Sequence, residues 1–257
     1  LKPALTLGRV GLLGMTTKPS NMPKIKLNQS EPLVISLGGS LIVPTGGPDA
    51  IFLKAFRTFV LDLVKTGRRV VIVCGGGKTA RHYIHAASDV MDHIDPEDLD
   101  WLGIHATRLN AHLLRTLFRS VAHPNVIKHP ARTPRHWREK VLVAAGWKPG
   151  WSTDYVASRI AGLLGVNHIV NASNIDGVFT ADPKKDPTAK LVKEYSWHDY
   201  RAMVGDTWDP GLSAPFDPVA SKYCQRHEIS VAIIDGKNLT NMEKVINGEE
   251  FKGTLLS

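Results

Sequence analysis

Three glycines and a lysine in a row, Gly75-Gly76-Gly77-Lys78, are the residues of this sequence best suited to chemistry, and the chemistry they suit is holding phosphate. Glycine lets backbone N–H groups approach a ligand with no Cβ in the way. The run ends a β-branched stretch, Arg69–Cys74, and opens a helical pattern, "TARHYIHAA", whose N-terminus favours anions. "GKT" resembles the end of a phosphate loop, but the full pattern needs a glycine five places before Gly77, where Ile72 stands. Gly75, Gly77 and Ala80 also fit a loose dinucleotide-binding pattern, which requires an acidic residue about 20 positions on, at the end of the next strand. Asp95, Asp98 and Asp100 lie near that distance, but in an acidic stretch with no strand before it. Neither pattern is met in full. There is no Ser-His-Asp elbow, no paired-cysteine metal motif and no H-E-x-x-H.

The elements that must position these glycines follow from apolar periodicity. "LVISL" (33–37), "RVVIVC" (69–74), "VLVAA" (141–145), "HIVNA" (168–172) and "SVAII" (230–234) read as buried strands. Helical spacing recurs between them: Ile51 to Leu63, the segment after Thr79, about Trp101 to Val121, "YVASRIAGLLG", "HDYRAMV", "FDPVASKYCQRH" and "NMEKVIN". Strands flanked by helices throughout predict an α/β layered fold with a mostly parallel sheet. In such a sheet ligands bind at the carboxyl ends of the strands. Four strand ends carry unusual segments: "GGS" after the first, "GGGKTAR" after the second, "GWKPGWSTD" after the third and "SNIDGVFTADP" after the fourth. On one edge, together, they suit a ligand with several phosphates.

Each segment has a plainer account. "GGS" makes a tight turn; Ser152, Thr153 and Asp154 cap a helix. Asp217 and Pro218 read as a cap followed by proline at the first helical position, and Gly177 completes the turn at "NIDG". The functional reading rests on the coincidence of these features on consecutive strands.

Composition bounds the rest. With 257 residues, 43% hydrophobic and 22% charged, the chain is an ordinary globular protein with no apolar run near the ~20 residues that span a bilayer. Two distant cysteines, Cys74 and Cys224, make no disulfide framework and fit a reducing, cytoplasmic setting. The net charge of +8 is uneven: residues 1–30 hold five basic side chains and no acid, leaving 27 basic against 24 acidic residues beyond. Residues 1–30 are expected to be a basic extension outside the fold, and residues 31–257 a single domain. The Arg- and His-rich stretch 123–140 reads as a solvated connection rather than a nucleic-acid patch, because its aromatics are not interleaved for stacking.

At this point a resemblance can be stated. "ISLGGSLI", "VVIVCGGGKTARHYI", "DWLGIHATRLNA", "GWKPGWSTDYVA" and "NIDGVFTADPKKDPTAK", in that order from Leu33 onward, resemble the amino acid kinase family, and within it the archaeal-type UMP kinases. The resemblance implies a three-layer αβα sandwich with the acceptor bound by the N-terminal part and ATP by the C-terminal part. It implies transfer of the ATP γ-phosphoryl group to UMP, with Mg²⁺, a homohexamer and a place in pyrimidine nucleotide biosynthesis. Carried over residue by residue, it implies that Gly38, Gly39 and Ser40 cradle the transferring phosphates, and that Gly77 and Arg81 contact ATP. Gly76, Asp100 (on the ribose hydroxyls) and Trp147, Lys148, Pro149, Gly150, Trp151, Ser152 and Thr153 would hold UMP. Ser173, Asn174, Phe179 and Asp182 would line the adenosine site.

Two positions depart from the family pattern. The lysine usual two residues before "GGS" is Ser36, so Arg81, Lys78 or Lys148 must supply charge beside Mg²⁺. The usual adenine-site tyrosine is Phe179, which keeps the ring and loses the hydroxyl. Two other readings stay open: the same chemistry on a carboxylate, carbamate or other phosphate acceptor, and a nucleotide-binding or storage protein without turnover.

Overall fold

The computed structural model describes residues 22–183, 185–205 and 214–257. In chain order the strands are β1 (Leu33–Leu37), β2 (Val70–Cys74), β3 (Val141–Ala144), β4 (His168–Ser173), β5 (Glu194–Tyr195), β6 (Ser230–Asp235) and β7 (Thr254–Leu256). They form one sheet in the order β3-β2-β1-β4-β6-β7-β5. The block from β3 to β6 is parallel throughout; β7 runs antiparallel to β6 and carries the short β5 beside it. The helices are α1 (Gly39–Ile42), α2 (Ala50–Lys65), α3 (Gly77–Val90), α4 (Pro96–Leu117), α5 (Thr153–Leu164), α6 (Trp197–Val204), α7 (Pro218–Arg226) and α8 (Leu239–Asn247).

The strands alternate their side chains between two cores. Ile35, Leu37, Ile72 and Cys74 face a layer built from α2, α4 and α8. Val34, Val71, Val73 and Ile169 face a layer built from α5, α6 and α7. Both faces are covered, which is why β1 and β2 are buried at every position and read as continuous apolar runs. The chain winds outward from β1 to β2 to β3, then returns to place β4 on the other side of β1. That reversal is a topological switch point, and the crevice it opens lies at the carboxyl ends of β1 and β4.

The sandwich expected from the sequence is the one observed, with three differences. Helix α4 begins at Pro96 rather than near Trp101 and ends at Leu117. Asp95 caps it through Glu97 N at 2.8 Å and Pro96 occupies the first turn, so Asp100 lies inside a helix rather than ahead of one. Strands β5 and β7, two and three residues long, are too short to leave an apolar period in the sequence.

The third difference concerns the basic extension. Residues 22–30 belong to the fold: Ile25 and Leu27 are 5% and 8% exposed and join the core beside α2 and α8. Phe251 N donates to Pro23 O at 3.2 Å, and Gln29 Nε2 donates to Ile246 O at 3.1 Å. Lys24 and Lys26, which alternate with the two apolar residues, face outward. The remainder of the expected extension, residues 1–21, lies outside the described residues.

This packing is open to test. Ile25→Ala is expected to destabilise the protein by about 2–4 kcal/mol in urea unfolding. Lys24→Ala, which removes only an exposed 3.4 Å ion pair to Glu250, is expected to change it by less than about 0.5 kcal/mol. Equal, negligible effects would show that this segment contributes nothing to the core.

Candidate active site

The two glycine turns are pressed against each other, backbone to backbone. A Cβ on Gly39 would sit 2.0 Å from Gly77 N and 2.5 Å from Gly75 C; one on Gly75 would meet Gly39 N at 2.5 Å. Gly77 has φ +65°, and a Cβ there would lie 2.2 Å from Gly39 O. None of these obstacles is a flexible side chain, so no other residue fits at the three positions. "GGS" is thus not an isolated tight turn: Gly38 caps α1, and Gly39 and Ser40 are its first residues. The same contact also brings the ends of β1 and β2 together, with the N-termini of α1 and α3 side by side. Gly38 N donates to Ala172 O at 2.8 Å and ties in the end of β4, where Ser173 begins the next loop. Across the junction Arg81 Nη2 donates to Ser40 Oγ at 3.3 Å, which sets an exposed guanidinium over the first glycine turn.

Helix α4 holds the other side. Asn110, buried, donates through Nδ2 to Gly75 O at 2.8 Å and Gly76 O at 3.1 Å. Thr107 Oγ1 accepts from Gly146 N at 2.8 Å and donates to Ile104 O at 2.6 Å. Arg108 Nη2 donates to Trp147 O at 2.9 Å, and Asp100 Oδ2 accepts from Gly150 N at 2.7 Å. One helix thus joins the turn after β2 to the loop after β3. In that loop Pro149 and Gly150 (φ +79°) are the corner of a turn of the type that wants proline then glycine. Lys148 Nζ lies 4.7 Å from the Trp147 ring centre and 5.5 Å from that of Trp151, so its charge rests on the two indoles. Ser152 caps α5 by accepting from Tyr155 N at 3.0 Å, as its plainer reading required.

Between β1, β4 and α5 lies a polar knot that sequence spacing does not reveal. Asp154 Oδ1 accepts from Ser36 Oγ at 2.9 Å and from Asn171 Nδ2 at 3.0 Å. The position left by the missing family lysine is therefore filled by a hydroxyl bonded to this carboxylate. Burial first, and the nearby Asp217 second, push the Asp154 carboxyl up to about 7, against the donors Ser36, Asp217 N–H and Asn171. Burial raises Asp217 too, although it caps α7 through Ala220 N. Asp217 thus adds to the rise of Asp154, while its own rise comes from burial. The two carboxyls are 63 positions apart in the chain, and Ser36 is 118 from Asp154, so only the fold joins them.

The expected adenosine residues follow β4 along a loop anchored elsewhere. Gly236 N donates to Ser173 O at 2.8 Å, and Lys252 Nζ meets Asp176, two residues beyond Asn174, at 2.8 Å. Thr254 Oγ1 accepts from Val178 N at 2.8 Å; Phe179 forms a bridge with Leu191, and Asp182 O closes a turn with Asp186 N. Ser173 adjoins Gly38, whereas Phe179 and Asp182 sit farther out on the same loop. A cavity of about 440 Å³ near Trp197, Glu228 and Ser257 lies at the far end of the sheet and contains none of these groups. Among the described residues no helix is long and apolar enough to cross a membrane.

Comparison with known proteins agrees with this arrangement. Residues 31–235 match the amino acid kinase family. The uridylate kinase of Hyperthermus butylicus is 35% identical over 231 residues, 88% of this chain and 98% of that one. The uridylate kinase of Pyrococcus abyssi is 35% identical over 222 residues, 84% and 96% of the two chains. Among solved structures, the uridylate kinase of Archaeoglobus fulgidus superposes with a TM-score of 0.74 at 30% identity, covering 88% of this chain and 100% of its own.

Two consequences can be measured. Asn110→Ala leaves two carbonyls of the glycine turn without their donor and is expected to cost about 1–3 kcal/mol of stability. The folded Asp154 carboxyl holds its proton to higher pH than the same group unfolded, so the folded state binds more protons between about 4 and 7. Stability therefore falls as pH rises through that window. Asp154→Asn is expected to flatten the fall in Tm between pH 5 and 7.5; an unchanged slope would mean that this group is not the one titrating.

Proposed function

The chain belongs to the amino acid kinase family, and we propose that within it the protein transfers the γ-phosphoryl group of ATP to UMP, giving ADP and UDP. The observation that carries this is the junction of Gly39 with Gly75 and Gly77 at the switch point, flanked by Arg81 on one side and the Asp100-anchored loop on the other. Relatives that match this chain over nearly their whole length are named uridylate kinases.

Phosphoryl transfer asks the protein for alignment and charge stabilisation more than for covalent chemistry. Gly38, Gly39, Ser40, Gly76 and Gly77 line the junction and offer backbone to the reacting phosphates. Asp100 and the loop from Trp147 to Thr153 receive UMP; Ser173, Asn174, Phe179 and Asp182 receive the adenosine half of ATP. Of the cations proposed to stand in for the family lysine, Arg81 lies over the first glycine turn, whereas Lys148 rests on two indoles. Arg81 would stabilise charge developing on the transferred group.

Mg²⁺ fits this donor set. Asp154, Asp217 and Ser36 are hard oxygen ligands, and the two raised carboxyls share no cationic side chain among their bonded partners. No group of three or more His, Cys, Asp or Glu among the described residues is placed to hold a metal, so most ligands would come from phosphate and water. When bound, the ion would offset phosphate charge, and Asp154 would be the side chain to hold it. A homohexamer in the cytoplasm, serving pyrimidine nucleotide supply, completes the reading.

The test is a coupled assay with ATP, excess Mg²⁺ and a panel of acceptors: UMP, CMP, AMP, carbamate and acidic amino acids. UDP formation at about 1–100 turnovers per second is expected. Turnover of another acceptor with UMP inert would reassign the substrate. UMP binding by calorimetry without any UDP would make the protein a binder rather than a kinase.

A further inference from the structure

The loop after β3 reaches α4 through three polar contacts, from Asp100, Thr107 and Arg108. Thr107 fixes the start of the loop at Gly146 N, and Asp100 fixes its corner at Gly150 N. Arg108 holds the carbonyl of Trp147, between those two points. Its guanidinium lies 5.6 Å from the ring centre of Trp101, one face of α4 supplying both partners, and Trp101 in turn packs beside His105 at 6.0 Å. Arg108 Nε is buried with no hydrogen-bond partner. A guanidinium partly withdrawn from water, with its one side-chain bond going to a backbone carbonyl, is a costly way to stabilise a fold. It is an effective way to fix one peptide plane, because the planar fork is pre-organised and the Trp101 ring lies beside it.

We propose that Arg108 is a positioning residue of the acceptor site, acting with Asp100 as a two-point clasp on the loop that receives UMP. The inference rests on the UMP reading above. Asp100 commits Oδ2 to Gly150 N, and its other oxygen serves the ribose hydroxyls, so ribose recognition and loop position are linked through one carboxylate. Arg108 fixes the opposite end of the same turn. With both points held, the Trp147–Thr153 backbone stands ready for the UMP phosphate; with Arg108 gone, each binding event must order the loop first. The residues assigned to ATP lie on other segments, around Gly38, Gly77 and the loop after β4, so loss of the clasp is expected to leave ATP binding unchanged.

The experiment compares Arg108→Ala and Arg108→Lys in the full chain. Arg108→Ala is expected to raise the KM for UMP about tenfold or more while the KM for ATP stays within twofold. Arg108→Lys, which keeps a donor for the carbonyl without the planar fork, is expected to recover part of that loss. Hydrogen exchange of the unliganded protein supplies a readout free of activity: amides from Trp147 to Trp151 exchange faster in Arg108→Ala, and those of β3 and α5 do not. A parallel rise in both KM values, or exchange that increases across the whole domain, would reduce Arg108 to a stability residue and overturn the proposal. An unchanged KM for UMP with unchanged exchange would overturn it equally. If the unaltered protein fails to phosphorylate UMP, the substrate reading falls while the exchange arm still decides whether Arg108 holds the loop.

Discussion

The contact on which the rest of this structure depends involves no side chain. Gly39 meets Gly75 and Gly77 at distances that only bare backbone allows, and Gly38 extends the join to β4. Every element of the proposed site is placed relative to that junction. Parallel strands on their own bring their carboxyl ends to a common edge about 4.8 Å apart; the glycines bring the turns beyond those ends into contact. Two helix N-termini then open beside each other, giving one region of concentrated backbone donors. The glycines therefore answer to packing as much as to any ligand, and both demands fall on the same atoms.

Charge around the junction is distributed unevenly. On one side, Arg81 lies over Ser40 and is exposed; on the other, Asp154 and Asp217 are gathered at the N-termini of α5 and α7. Helix N-termini favour anions, yet both carboxyls are raised: burial outweighs the dipoles at each, and at Asp154 the charge of Asp217 adds to it. A surplus of buried acid beside a proposed phosphate site is coherent only where a cation or a proton is shared among them. Ser36 makes the surplus possible, since a hydroxyl there donates to Asp154 without neutralising it.

Much of this was legible in the sequence, for identifiable reasons. Strands β1, β2, β3, β4 and β6 are buried on both faces and write themselves as apolar runs, and "GGS" and "GGGKTAR" mark their ends. The Asp217-Pro218 cap is readable; the identical signal at Asp95-Pro96 is masked by the acidic residues around it, which hide the first turn of α4. Lys24-Ile25-Lys26-Leu27 alternates with a period of two, but the eye follows the charge rather than the apolar pair. Asn110, Thr107 and Arg108 stood inside a block that resembled the family, without a role, because a helix face shows its partners only once the neighbouring strands are placed. The Ser36–Asp154–Asn171 knot left no local trace at all.

The two halves of the cleft are assembled from very different lengths of chain. The glycine turns, α4 and the loop after β3 all lie between Leu33 and Thr153, and the bonds that join α4 to the turn and the loop close within that stretch, while Gly38 reaches beyond it to Ala172. The loop from Ser173 to Asp182 hangs on Thr254, 76 residues after the Val178 amide it receives, and on Lys252. The proposed donor side of the cleft is thus fastened to the last residues of the chain, so whatever loosens that end is felt there before it is felt at the acceptor loop.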